Sequence, residues 1–270
     1  MSSITVGEIF KALREEMPVE LALDWDNVGL LAGSYEKEVK KIMTVLDLTS
    51  ELLQEAVENK VDLIVSHHPM LMSSINRVND GDFVGRRLVK LLNNDISYIA
   101  MHTNYDIAAG CMGDLAAGLI GIKGAPLKIT ERINAGNTEV CLGIGKVGEL
   151  DREYTLEEFI TKLKNAFDLK SVGVYGSSLL KDGIRTAAVS PGSGRGMYKL
   201  AKAAGAQLLI TGDVGHHEGV DAKEEGVAII DAGHYGIEHI FIEDMKRRLL
   251  NINENFEILT EKIKLPENFY

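Results

Sequence analysis

The chain has 270 residues, 45% of them hydrophobic and 26% charged, enough to bury one large core or two modest ones in an ordinary globular protein. Its formal net charge of −11 argues against an extended nucleic-acid surface, because such binders present clustered lysine and arginine. No apolar run approaches membrane-spanning length, and the N-terminus lacks the basic start and apolar stretch of a signal peptide, so the sequence predicts a cytoplasmic protein with no membrane partner.

The first segment, 3–17, has Val6, Ile9, Phe10 and Leu13 at helical spacing, with Pro18 just past its end. Residues 30–33 and 40–48 read as strands, followed by a helix over 50–59 capped by Thr49 or Ser50. The β-branched run VDLIVSHHP reads as a buried strand ending in histidines. A helix over 85–94 then leads to the strand ISYIAMHTNYD and a helix over 106–119. Around 121–130 the pattern changes, and two glycines and a proline mark a boundary. The second stretch opens with TEVCLGIGKVG and a helix over 155–167, whose Thr155 and Glu158 match a capping box. It continues through VGVYG, the strand IRTAAVS, the turn PGSGRGM, a helix, and the strands AQLLITGD and VAIID. A helix over 235–250 and a last strand, FEILTEKI, close the chain. The basic run Lys246, Arg247 and Arg248 reads as the last turn of that helix. Cys111 and Cys141 form no CxxC pair and are expected as buried thiols.

This alternation predicts an α/β fold: two α/β domains with mixed, largely parallel sheets and helices on both faces. The last histidines must meet the first ones to complete a site, so the second domain, 126–230, is expected as an insertion into a discontinuous metal-binding domain formed by 1–125 and 231–270.

All seven histidines lie in four short segments: IVSHHP, HTNYD, GDVGHHE and GHYGIEH. Each follows an apolar run, and in open α/β sheets ligands collect beyond the carboxyl ends of the strands. A lone strand-end histidine is more commonly a hydrogen-bonded core residue, but an HH pair together with HxxxD and HxxxE describes a metal site better. His67, His68, Asp106, His234 and Glu238 are the candidate ligands. His234 and Glu238, four apart at a helix start, share one face. Adjacent strand residues point to opposite faces, so His67 and His68 share one ion only if the strand has already turned, and otherwise bind two. Five ligands exceed the needs of one catalytic zinc and suit two divalent ions, with zinc, iron, manganese or nickel compatible with the mixed N/O set.

His102 is placed as a group supporting the ligands or moving protons. His216 and His217 are candidates for proton transfer or for capping the next helix, and His239 is read as structural. PGSGRGM, between a strand and a helix, reads as a tight turn or a phosphate-binding loop, although it lacks GK[ST] and a full GxGxxG. The loop Asp24, Trp25, Asp26 and Asn27 is read as structural.

Together, LDWDNVGLLAG, IVSHHP, HTNYD, GDVGHHE and GHYGIEH resemble the NGG-interacting-factor-3-like family, whose bacterial members are named GTP cyclohydrolase 1 type 2 homologs. The resemblance spans residues 24 to 239 and implies a two-domain α/β fold, a pair of divalent metals forming a metal site in the cleft between the domains, and a homohexamer, in the short form without an inserted middle domain. It also implies hydrolysis of a nucleotide ring or phosphoester, with His102, His216 or His217 as acid or base and a nucleotide or other small phosphorylated molecule as substrate. A non-catalytic metal-binding hexameric scaffold or regulatory interaction protein is the alternative.

Overall fold

The structure is a computed structural model that describes residues 4–135 and 138–263. The ends of the expected domain spans, 1–3 and 264–270, lie outside the described residues, as do 136–137. Among the described residues, those up to Tyr105 and those from Phe241 onward form one compact unit, and Asp106–Ile240 forms the other.

The first unit begins with β1 (Ile4–Thr5) and α1 (Val6–Glu16). A capping box starts α1: Glu8 N–H donates to Thr5 Oγ1 at 3.3 Å and Thr5 N–H donates to Glu8 Oε2 at 2.8 Å. Its buried stripe is Val6, Ile9 and Leu13. There follow β2 (Gly29–Ala32), β3 (Glu38–Val39), β4 (Lys41–Val45), α2 (Ser50–Glu58, N-capped by Thr49), β5 (Leu63–Ser66), α3 (Phe83–Asn93) and β6 (Ser97–Ala100). After the excursion through the second unit, α10 (Ile240–Ile252) and β13 (Glu257–Thr260) complete it, with α4–α9 and β7–β12 lying between. The sheet order is β13-β4-β5-β6-β2, parallel except for β2. One face of this sheet, Met43, Val45, Ile64, Tyr98 and Ala100, packs on Leu53, Ala56, Leu88 and Leu91 of α2 and α3. The alternate residues Ile42, Leu63, Val65 and Ile99 are equally buried on the opposite face.

The second unit contains α4 (Thr103–Ile107, which begins in the first), α5 (Met112–Ile120), β7 (Ile122–Ala135), β8 (Thr138–Tyr154), α6 (Leu156–Ala166), β9 (Gly173–Tyr175), β10 (Ile184–Val189), α7 (Met197–Ala203), β11 (Leu208–Thr211), α8 (His216–Glu224), β12 (Ala228–Asp231) and α9 (His234–Glu238). Its six strands run β7-β8-β10-β11-β12-β9, with only the β10-β11 and β11-β12 pairings parallel. Strand alternation divides its apolar residues. Ala187, Val189, Leu208, Ile210, Ala228 and Ile230 pack against α5 and α6. Ala188, Leu209 and Ile229 pack against α7 and α8. Helices therefore cover both faces of a sheet that is mixed rather than largely parallel.

Several expectations change. The glycine-proline stretch at 121–130, expected to mark a boundary, lies almost wholly within β7. The units divide at 105/106 and 240/241, whereas the sequence placed the boundaries at 125/126 and 230/231; Ala116, Ala117 and Ile120 of α5 and Ile237 of α9 belong to the core of the second unit. The helix expected over 235–250 is two helices separated at His239, and it continues to Ile252, so Arg247 and Arg248 are mid-helix. There they bind Asp244 at 2.5 and 2.6 Å instead of facing the helix terminus. Cys111 is buried and Cys141 only half-buried, and the two do not form a disulfide with each other. Among the described residues no helix is long and apolar enough to cross a membrane.

Candidate functional site

In the first unit, parallel register aligns the carboxyl ends of three strands: Val45 pairs with Ser66, and Ser66 with Ala100. The residues just beyond, Asp47, His67, His68 and His102, therefore leave the sheet together. Backbone bonds from His67 N–H to Val45 O (3.2 Å) and from His68 N–H to Leu46 O (3.0 Å) hold the first part of this exit, while Ser66 Oγ and Tyr98 Oη both donate to His68 O at 2.9 Å. Burial pushes the Tyr98 hydroxyl up to about 12, so it stays a neutral donor.

The three histidine rings come together, with centroids 4.9 Å apart for His67 and His68, 5.1 Å for His67 and His102, and 5.4 Å for His68 and His102. Each Nδ1 has an acceptor: Met101 O for His67 (2.9 Å), Asp47 Oδ1 for His68 (2.9 Å) and Asp26 Oδ1 for His102 (2.8 Å). Such a bond fixes the tautomer that carries its proton on Nδ1 and turns the basic Nε2 toward a metal. The three residues are close enough to hold one ion between them. Burial would raise the Asp26 carboxyl, but hydrogen bonds from His102 and Thr103 outweigh it and bring it down to about 2. Asp26 is thus a charged acceptor beneath His102, with its side chain wholly buried.

In the second unit, parallel register pairs Thr211 with Asp231, so the segments after β11 and β12 leave the sheet side by side. Asp231 ties them together, accepting from Val214 N–H and Gly233 N–H at 3.0 Å each. His234 opens α9; its Nδ1 lies 2.9 Å from Asp213 Oδ2 and its Nε2 3.0 Å from Glu238 Oε2. Asp213 has φ 55, a left-handed conformation that aspartate tolerates better than most residues. The Glu238 side chain is only 4% exposed, so its charge requires a positive or protic partner. Gly192 closes over this pair: a Cβ there, at φ +78, would sit 2.9 Å from Glu238 Oε1. Asp106, half-buried, lies in the short helix α4.

The other expected residues fall as follows. His216 and His217 occupy the exposed first turn of α8, with rings 5.3 Å apart and no capping hydrogen bond, and among the described residues neither joins a group of three potential ligands. His239 is buried, with Nδ1 3.2 Å from Tyr235 O, and burial holds it below the usual histidine range. In PGSGRGM, the Gly196 amide donates to Glu218 Oε1 at 2.5 Å, so a carboxylate already occupies the place expected for a phosphate. Of the three aspartates that hold a histidine Nδ1, Asp47 and Asp213 were not singled out from the sequence, and Asp26 was read only as part of a structural loop. Their signal was position, one short step beyond a strand or within the DWDN loop.

Similarity to known proteins extends over nearly the whole chain. A protein of Clostridium perfringens named GTP cyclohydrolase 1 type 2 homolog is 32% identical over 267 residues, 98% of this chain and 99% of that one. A solved hypothetical protein of Staphylococcus aureus superposes with TM-score 0.87 at 29% identity, covering all of both chains. A Bacillus cereus protein related to NIF3 superposes with TM-score 0.89 at 23% identity, again over both whole chains, and shows the same fold. The family Duf34/NIF3 (NGG1p interacting factor 3) matches residues 4–268. The chain belongs to the Duf34/NIF3 family.

Proposed function

We propose that the protein binds two divalent metal ions through His67, His68, Asp106, His234 and Glu238 and is a metal-dependent hydrolase of a nucleotide or another small phosphorylated molecule. The observation that carries this reading is the shared support of the histidines. His67, His68 and His234 each have Nδ1 against a backbone carbonyl or an aspartate, which orients Nε2 for a Lewis acid, and Asp26 holds His102 in the same way for proton transfer. Histidines that only fill a core have no need of three separate aspartates. Zinc, iron, manganese or nickel suits the donor set. Bound divalent ions would supply Lewis acidity and help to activate water.

The chain's own groups divide the remaining work. Glu238 contributes a buried carboxylate whose position is fixed by the i, i+4 geometry of α9 and by the close approach of Gly192. His102 is the proton-transfer group, with Asp26 holding its Nδ1 and leaving Nε2 to exchange a proton with substrate. His216 and His217, three and four residues after Asp213 and open to water, exchange protons with solvent. The name carried by the Clostridium relatives supports a nucleotide substrate whose ring is opened, and the homohexamer implied by the family resemblance is proposed on the same footing.

The test is a panel of GTP, other nucleotides and phosphoesters assayed with metal-loaded protein. Metal-dependent product is expected, with Glu238→Ala folded but inactive and His102→Ala slowed by about 100-fold or more. Absence of metal-dependent product across the panel would sink the enzyme reading and leave a non-catalytic metal-binding scaffold.

A further inference from the structure

Tryptophan is usually among the most buried side chains, yet the only one in this chain, Trp25, is 58% exposed. Its exposure does not come from a loose loop. The neighbouring Asp26 carboxylate accepts from His102 Nδ1 (2.8 Å), Thr103 N–H (3.0 Å) and Thr103 Oγ1 (2.5 Å), and Asp26 N–H donates to Leu23 O at 2.8 Å. Asn27 Nδ2 donates to Leu71 O at 2.5 Å, and Leu23 N–H to Thr103 Oγ1 at 2.9 Å. Bonds on both sides of the residue therefore fix the backbone that presents the indole. The indole stands 5.9 Å from the His102 ring at 73°, an edge contact, and the same His102 ring meets His67 and His68. An open aromatic group on a fixed backbone thus lies against one ring of the three-histidine cluster.

We propose that Trp25 is the platform on which a planar heterocyclic ring of the substrate, a purine base or a ring like it, stacks beside that cluster. This rests on the metal-dependent reading above and adds to it the residue that recognises the ring. Stacking on a pre-positioned indole loses little side-chain entropy and accepts any π face, so it supplies affinity for the ring while the histidines act on it. The chemistry selects an unsaturated nitrogen heterocycle over a sugar phosphate.

A single tryptophan makes the test direct. Metal-loaded protein is titrated with guanosine, adenosine, ribose 5-phosphate and tripolyphosphate, following indole fluorescence against a free-tryptophan control for light absorbed by the base. The nucleosides carry no phosphate, so chelation of the ions by phosphate does not contribute to their signal. Saturable quenching by the nucleosides, with none from the two ring-free compounds, is expected. Equilibrium dialysis of guanosine should show binding weakened about tenfold in Trp25→Leu and largely kept in Trp25→Phe, with metal content and circular dichroism unchanged in both. Three results would overturn the proposal: no quenching by either nucleoside, equal binding to Trp25→Leu, or quenching replaced by a concentration-dependent spectral shift that marks Trp25 as an interface between copies. Metal content and turnover of the same preparation show whether the metal-dependent reading stands or falls separately.

Discussion

Asp26, Asp47 and Asp213 do the same job at different places in the chain: each accepts from a histidine Nδ1 at 2.8 to 2.9 Å. Replacing one by asparagine keeps the shape but offers a weaker, uncharged acceptor. Asp47→Asn is expected to lower metal affinity about 10- to 100-fold with little change in melting temperature, measured by competition with a chromophoric chelator. Unchanged affinity would mean that His68 is not a ligand. Histidines are rare and their spacing is informative, so the candidate ligands were legible in the sequence. The aspartates were not, because aspartate is also a common turn residue, and nothing local separates an acceptor for imidazole from a loop former. DWDN was accordingly read as a structural loop, whereas Asp26 holds His102 and Trp25 stands beside it.

At the scale of elements, α10 offers a test independent of metal. Asp244 accepts from Tyr105 Oη (2.7 Å), Arg248 Nε (2.6 Å) and Arg247 Nη2 (2.5 Å), and Arg248 also pairs with Glu16. Burial would raise the Asp244 carboxyl, but the hydrogen bonds from Arg248, Arg247 and Tyr105 outweigh it and hold it below the usual carboxylate range. A depressed carboxylate contributes stability that is present above its unfolded value, near ~4, and is lost as pH falls through the folded one. Asp244→Asn should therefore cost about 3 kcal/mol at pH 7, and the gap from wild type should close below about pH 4 in urea titrations. A constant gap across that range would show that packing, not charge, is what the substitution removes. The capping boxes follow their sequence signature, and Thr155→Ala is expected to cost about 1 kcal/mol of stability, measured the same way. Strand β7 did not read as a strand, because Gly124 and Pro126 look like chain breakers. Both fit their places: a Cβ on Gly124 would collide with the backbone of β8 at Val147, and β7 is an edge strand, where proline is tolerated. The expected helix over 106–119 is similarly interrupted, with Gly110 at φ +70 between α4 and α5.

At the scale of the whole molecule, alternating apolar runs were enough to identify an α/β chain, because buried strands and amphipathic helices repeat with different periods. The direction of each pairing was not legible: the antiparallel β7-β8-β10 arrangement depends on long-range register that no local pattern encodes. Residues 106–240 carry their own core and are expected to fold when expressed alone, with a cooperative unfolding transition in a urea titration followed by circular dichroism. A gradual, non-cooperative loss of signal would contradict that expectation.

The most direct measurement is elemental metal content per chain on protein purified without chelator, beside His68→Ala and Glu238→Ala. Close to two equivalents in the wild type, falling in both variants while each remains folded, is the result expected of a dinuclear centre built from these residues. Content near zero, persisting after reloading with zinc, iron, manganese and nickel, would contradict the metal assignment and make the clustered histidines structural.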